Sequence, residues 1–414
     1  MLHSSAGRFA KGRRTLLVAS LGIFLLLAIT SQPAHAQSYN VIYNFPGDTG
    51  GATPYAGPTL DQFGNLYGST NLGGATGNGS VYRLTFNGSS WVYTTLYSFF
   101  GTPDGSGPAF GSVAIGPDSR LYGTTEGGGV FGTVWSVQPA ATTCSSSSCL
   151  WKDTVLHRFG SGQDGSQPIG GVVLDATGNV YGTLNLGGAN GNGAVFEVKH
   201  LGPTWTESLL YSFTGGTDAV NPVAGVTLDP SGNLYGTTSF GGANGVGAVY
   251  QLVHSGEGWR ESVIYSFQGL SDGQNPVGGL ILDQAGNLYG TTFDGGDNGG
   301  GTVYELTPSR QGWMFTTLYS FTGGYGGPYN DLTWDTSGNL YGTTNGDGAF
   351  GLGSVFKLTP GDNGWTLADL HDFAGGNDGA SPYGSVAVDS HGNVFGTASV
   401  GGTDNQGVAF EITP

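Results

Sequence analysis

The chain has 414 residues, among them 80 Gly, 22 Phe, 20 Tyr and 8 Trp, and its 29 acidic and 12 basic side chains leave a net charge of −17. So many aromatics exclude a disordered chain, the glycines do not fall at every third position as collagen requires, and each would cost a helix interior about 1 kcal/mol against alanine. The negative balance repels phosphate backbones and excludes nucleic acid as a partner, whereas cations, neutral glycans and basic protein patches stay open.

Residues 1–36 read as a signal peptide. Arg8, Lys11, Arg13 and Arg14 precede the apolar run LLVASLGIFLLLAI (16–29), and the small-residue site Ala34-His35-Ala36 follows. The run is short for a membrane span. Cleavage near Ala36 would release a single domain, 37–414, that is secreted, extracellular or periplasmic and has no transmembrane segment.

Beyond that point the chain opens on a strand-like run, SYNVIYNF (38–45), and then repeats itself. GNLYGTT stands letter for letter at 232–238, 286–292 and 338–344, with four near-copies. The aromatic of this motif falls at Tyr67, Tyr122, Tyr181, Tyr235, Tyr289, Tyr341 and Phe395, spaced 55, 59, 54, 54, 52 and 54 residues apart. The long spacing contains TTCSSSSCL, in which Cys144 and Cys149 predict a local disulfide in an exported chain.

Each unit carries four alternating or apolar runs, a to d, which predict four strands. In the fourth unit they are GVTLD (225–229), NLYGTT (233–238), GAVYQL (247–252) and WRESVIYSF (259–267). An Asp-x-x-Gly-Asn turn joins a to b, with Asp61, Asp175, Asp229, Asp283, Asp335 or Asp389 as the cap and Gly116 in its place in the second unit. A glycine-rich stretch such as GGANGVG (241–247) joins b to c, and a loop with a recurrent Pro leads from d to the next a. Strand b always contains a glycine, from Gly68 to Gly396. A glycine inside a strand predicts close approach of an aromatic or of backbone from the adjacent sheet.

The ends are out of phase. The first run, 38–45, is a d strand without a, b or c, and the chain closes on a, b and c (384–389, 393–398, 407–412) without a d. An open array would leave unpaired edges. A ring would not, because the first strand would complete the last sheet. The expected fold is therefore all-β, a seven-bladed β-propeller of four-stranded antiparallel blades. A Trp stands eight residues before the final Phe of d in six units, and in the first that place falls on Gln37, so cleavage after Ala36 spares the closing strand.

The GNLYGTT, GGxxGxG-V-[YF] and LYSF elements at this period resemble the tandem repeats of choice-of-anchor GloVer-containing bacterial proteins, over residues 38–414. The Asp-x-x-Gly-Asn hairpin is similar, more weakly, to NHL and gluconolactonase-like propellers. The first resemblance implies export and a tandem array. It brings no established activity or catalytic residue.

Strand direction alternates, so the d–a and b–c loops share one rim. Six d–a loops there carry an Asp: Asp48, Asp104, Asp164, Asp218, Asp272 and Asp378, with Tyr325 in that region of the remaining loop. Such a ring would focus negative potential on a cation, calcium included, or on a hydroxyl-rich ligand such as a glycan. It would equally arise if each Asp capped its own turn. After strand b, Glu126 and Asp294 depart from the Asn or Ser of most other units and are candidates for an acid/base pair. His157 and His371 replace the Tyr of YSF on outer strands, away from the rim that holds the Asp ring, so no histidine–carboxylate metal cage is expected. Two functions stay open: a non-catalytic binding or scaffold propeller acting through this rim, and a hydrolase or lyase using rim carboxylates.

Overall fold

The first hairpin shows how each blade begins. Asp61 Oδ1 accepts the amides of Phe63 and Asn65, both at 2.8 Å, and Oδ2 accepts the Asn65 side-chain amide at 2.8 Å. Gly64 supplies the turn with φ +82°. Asp175, Asp229, Asp283, Asp335 and Asp389 repeat this bonding. In the second unit Gly116 has no carboxylate to offer, and Asp118 takes over by accepting the Arg120 amide at 3.2 Å. The a–b aspartates are turn caps.

The computed structural model describes residues 37–414 apart from 109, 130, 140–150, 161, 203 and 323–325. The expected signal peptide, Cys144, Cys149 and Tyr325 lie outside the described residues. Gln37–Pro414 forms one compact unit. It contains seven antiparallel sheets of four strands, each in the order a-b-c-d. In the fourth blade these are Thr227–Leu228, Leu234–Thr238, Ala248–Ser255 and Gly258–Ser266. Two 3-10 turns, Gly162–Asp164 and Gly376–Asp378, are the only helical segments among the described residues. None of these is long and apolar enough to cross a membrane.

The ring closes as its ends require. Ser38–Asn44 pairs antiparallel with Val408–Thr413, from Ser38 opposite Thr413 to Asn44 opposite Val408. The last sheet therefore takes three strands from the end of the chain and its outer strand from the beginning.

Strand a is shorter than its five-residue apolar run, with only two paired residues per blade. The preceding residues instead bring backbone against backbone around the axis. A Cβ on Gly384 would stand 2.6 Å from the Ala56 carbonyl carbon, and one on Gly111 would stand 2.6 Å from that of Gly170. Strand d also departs from a plain ladder. In the first blade Val81 faces Tyr97 and Tyr82 faces Thr95, which leaves Leu96 as a bulge, and every blade has the same shift. The bulge bends the outer strand and lets consecutive Leu and Tyr of LYSF serve different contacts.

Each letter of the motif LYGTT makes its own contact. Leu234 is in the core, and the Tyr235 hydroxyl reaches the turn cap Asp229 at 3.3 Å while its ring meets Trp313 of the next blade. The glycine faces an aromatic of strand c in its own sheet, Gly182 opposite Phe196, where a Cβ would stand 2.6 Å from the ring. The expected contact is real, but its partner is the neighbouring strand of the same blade and not the adjacent sheet. The first Thr crosses to the next blade: Thr124, Thr183, Thr237, Thr291, Thr343 and Thr397 donate to carbonyls ahead of the next strand a. The second Thr bonds within the blade, as Thr70 does with Ser80 at 2.9 Å. Core clusters accordingly span pairs of neighbouring blades, for example Tyr235 and Phe267 with Leu288 and Tyr304.

Candidate functional site

The shared rim exists. The d–a and b–c loops of one repeat bridge each other at Ala52 with Leu72, Ser106 with Gly127, Ser166 with Leu186, Gln274 with Asp294 and Ala380 with Val400. Each d–a aspartate turns back on its own loop. Asp48 accepts the Gly50 amide at 3.1 Å, Asp104 that of Phe100 at 2.9 Å, Asp218 that of Thr214 at 2.6 Å and Asp272 that of Gln268 at 2.9 Å. Asp378 accepts the Ala374 amide at 2.6 Å, and Asp164 that of Gly160. Three also accept the hydroxyl of the penultimate aromatic of the outer strand: Asp104 that of Tyr97, Asp218 that of Tyr211 and Asp272 that of Tyr265. Among the described residues no three of these carboxylates approach within common metal-binding distance.

The histidines require a correction. His157 Nε2 lies 3.3 Å from Asp164, and His371 Nε2 lies 3.0 Å from Asp378. Both therefore do meet the Asp ring, because the loop after d folds back onto the strand it leaves. Across the seam to the third blade stands Glu207, and His157, Asp164 and Glu207 bring one ligand atom each to within 4.8 Å of one another. Burial pushes the Glu207 carboxyl up to about 7, with Asp164 adding to the effect, and burial lowers His157 against the pull of Asp164.

Glu126 and Asp294 are not joined. Glu126 Oε1 accepts the Asn71 amide at 3.4 Å, and Asp294 Oδ2 accepts the Asn275 amide at 3.5 Å. Each sits in its own blade, with no hydrogen bond between the two.

The aromatic residues at the axial mouth of the rim were not singled out by the sequence. The chain entering strand a places Tyr55, Phe110, Tyr329 and Tyr383 there, all half-buried. Their ring centroids lie 5.1 Å (Tyr55–Phe110), 5.4 Å (Tyr55–Tyr383), 5.6 Å (Phe110–Tyr329) and 5.2 Å (Tyr329–Tyr383) apart. Phe293 of a b–c loop packs on Tyr329 at 5.5 Å, which fixes this collar on the same rim. Below it a cavity of about 130 Å³ is bounded by the second to sixth blades, with Phe110, Tyr329, Asn330 and Asp331 on its wall beside glycine backbone and the side chains of Val172, Val223, Val226 and Val277. That is room for a few waters.

Asn330 and Asp331 interrupt the pattern. The corresponding positions elsewhere hold only Gly or Ala and Gly or Ser, as in Gly278-Gly279 and Gly384-Ser385. Asp331 Oδ1 accepts the Gly279 amide at 2.6 Å, and a Cβ on Gly279 would stand 2.9 Å from that oxygen. Asp331 keeps exposed surface toward the cavity, but the crowding of protein around its carboxyl raises it, and the Gly279 bond offsets part of the rise. The Asn330 Nδ2 atom is buried without a hydrogen-bond partner. A departure from the repeat at PYNDLTWD was the available signal.

The fold and this rim define a closed β-propeller whose axial mouth carries an aromatic collar over a polar cavity. The Gloeobacter/Verrucomicrobia repeat matches residues 28–226, 132–262 and 231–414, and the chain belongs to that repeat family. No curated protein matches it. Solved propellers do. A Bacteroides uniformis protein described as a 6-phosphogluconolactonase is 16% identical, with TM-score 0.51, 81% of this chain and 88% of that one being covered. An ulvan lyase is 11% identical with TM-score 0.51, covering 90% and 95%, and its complex with a GlcA–Rha3S saccharide gives 0.50 over the same shares. At these identities the likeness concerns the fold.

Proposed function

We propose that the chain is an exported, non-catalytic binding propeller that takes a glycan at the axial mouth. The observation that carries this reading is the collar of Tyr55, Phe110, Tyr329 and Tyr383, four half-exposed rings above a polar cavity. Sugar rings present C–H faces that would pack on the outer faces of these rings, and waters in the small cavity would bridge sugar hydroxyls to Asp331. The ulvan lyase accommodates a saccharide on the same fold. The net charge of −17 and the carboxylate at the mouth favour neutral over uronate or sulfated sugars.

Calorimetry with neutral and acidic oligosaccharides tests this. Neutral ligands should bind, and Phe110→Ala or Tyr329→Ala should weaken them about tenfold or more. Binding untouched by both changes would remove the mouth as the site.

Asp331 favours a second reading, a hydrolase or lyase, since a carboxyl that is raised by its crowded surroundings and opens on the cavity can hold a proton for transfer. Product release from a bound saccharide, abolished by Asp331→Asn with binding retained, would select it.

A further inference from the structure

Six of the seven outer seams between blades are built from one triplet, the exception being the seam to the seventh blade, where Leu367 stands at the last position and the loop has no Asp. The triplet comprises the penultimate aromatic of strand d, the aspartate of the following loop, and the residue two places after the Trp position in strand d of the next blade. Two seams close with stacked rings, Tyr43 on Tyr93 at 4.1 Å and Tyr265 on Phe315 at 4.4 Å. A third stacks His371 on Tyr39 at 3.7 Å. Three consecutive seams instead place a carboxylate at the last position: Asp153, Glu207 and Glu261. Each of these has one oxygen buried without a hydrogen-bond partner. Asp153 and Glu261 meet an Asp and a Tyr, whose protonated phenol is a poor ligand. Glu207 meets Asp164 and His157.

We propose that His157, Asp164 and Glu207 form a binding site for a first-row divalent cation, with Zn²⁺ the best fit, that ties the second blade to the third. The donor set is one imidazole nitrogen and two carboxylates, which suits zinc and its neighbours better than calcium or magnesium. His157 Nε2 and Asp164 Oδ1 are 3.3 Å apart. Two ligands of a tetrahedral zinc with bonds of about 2.0–2.1 Å stand about 3.3–3.4 Å apart. Phe159 packs edge-on against the His157 ring at 4.7 Å and holds its direction. Asp164 spends Oδ2 on the Gly160 amide and keeps Oδ1 toward the site. Glu207 Oε1 is the third donor, buried and unpartnered. A fourth position would go to water. The cation would neutralise a pair of carboxylates that otherwise face each other across the seam, so its binding would stabilise the fold.

The repeat supplies its own controls. His157→Tyr reproduces the Tyr of the flanking seams, and Glu207→Gln keeps the volume while removing the charge. The experiment is Zn²⁺ titration of the tag-free, chelator-treated protein, with thermal unfolding and X-ray absorption at the zinc edge. Wild type should take up one tight Zn²⁺ with one imidazole in a nitrogen–oxygen shell and should unfold at a higher temperature when loaded. Both variants should bind at least about tenfold more weakly and lose the thermal gain and, in His157→Tyr, the imidazole signal. Uptake equal in wild type and variants, or a shell without imidazole, would mean diffuse attraction to an acidic surface and would overturn the proposal. Should His157→Tyr not fold, the absorption spectrum of wild type and the Glu207→Gln titration still decide it.

Discussion

Thr237 in strand b of the fourth blade donates its hydroxyl to the carbonyl of Gly278 in the fifth, 2.8 Å away and fully buried. Five other blades make the same bond. The first blade has Ser69 at this place, and its hydroxyl is buried with no partner. The two positions should therefore respond differently. Thr237→Val leaves a buried carbonyl without its donor and should cost about 1–3 kcal/mol. Ser69→Ala removes an unpaired hydroxyl and should change stability by less than about 0.5 kcal/mol. Urea unfolding of the two variants measures the difference, and equal losses would refute the account.

The strand-b glycines make a second test. Gly182 sits opposite Phe196, and a Cβ there would stand 2.6 Å from the ring. Gly182→Ala should cost about 1–3 kcal/mol through overpacking. Adding Phe196→Leu should return part of that loss, a coupling read from a double-mutant cycle. Additive losses would show that the glycine serves the backbone and not the ring.

These two cases explain what the sequence made legible. Each letter of GNLYGTT acts on a neighbour at a constant offset, so the constraint recurs in every unit and shows as a repeat. Blade number, strand order and the closing strand followed from that periodicity. The seam triplet was hidden for the opposite reason. Glu207 lies 43 residues after Asp164, and nothing local to either names the other. The two meet only because adjacent outer strands lie side by side. The histidines were misplaced for the same cause, since the fold-back of the d–a loop onto its own strand is tertiary. Asn330-Asp331 was visible in principle, as two polar residues where every other unit writes small ones. The ring of d–a aspartates drew the attention instead, and each of its carboxylates gives at least one oxygen to its own turn.

Closure depends on residues from the far end of the chain. Ser38–Asn44 supplies the outer strand of the last blade, with Tyr39 stacked on His371 and Tyr43 on Tyr93. Deleting residues 38–44 removes both stacks and leaves Val408–Thr413 as an open edge. The loss should exceed about 5 kcal/mol, given the cost of truncating buried aromatics, and the product should associate through that edge. Light scattering and thermal unfolding test this, and a monomer as heat-resistant as the intact chain would contradict the ring.

The acidic seams predict how stability varies with pH. Burial raises Asp153, Glu207 and Glu261 to about 7, each helped by a facing carboxylate, Asp104, Asp164 and Asp218 respectively. In an unfolded chain the same groups release their protons near about 4. Between roughly pH 4 and 7 the folded chain thus holds more protons than the unfolded one, so stability falls as pH rises through that window and levels off above it. Turn caps act in the other direction. Burial pushes Asp175 and Asp335 up, but the bonds from Thr177, Asn179, Asn339 and Ser337 outweigh it and hold both carboxyls low. Their contribution is present above about pH 4 and is lost on further acidification. In chelator-treated buffer the thermal midpoint should therefore peak near about pH 4–5 and decline toward neutrality. Each seam is partly open to solvent, which reduces its share to about 1 kcal/mol. The triple change Asp153→Asn, Glu207→Gln, Glu261→Gln should flatten the decline between pH 5 and 8 while leaving the acid limb in place. An unchanged slope in that variant would assign the decline to charges elsewhere on the ring.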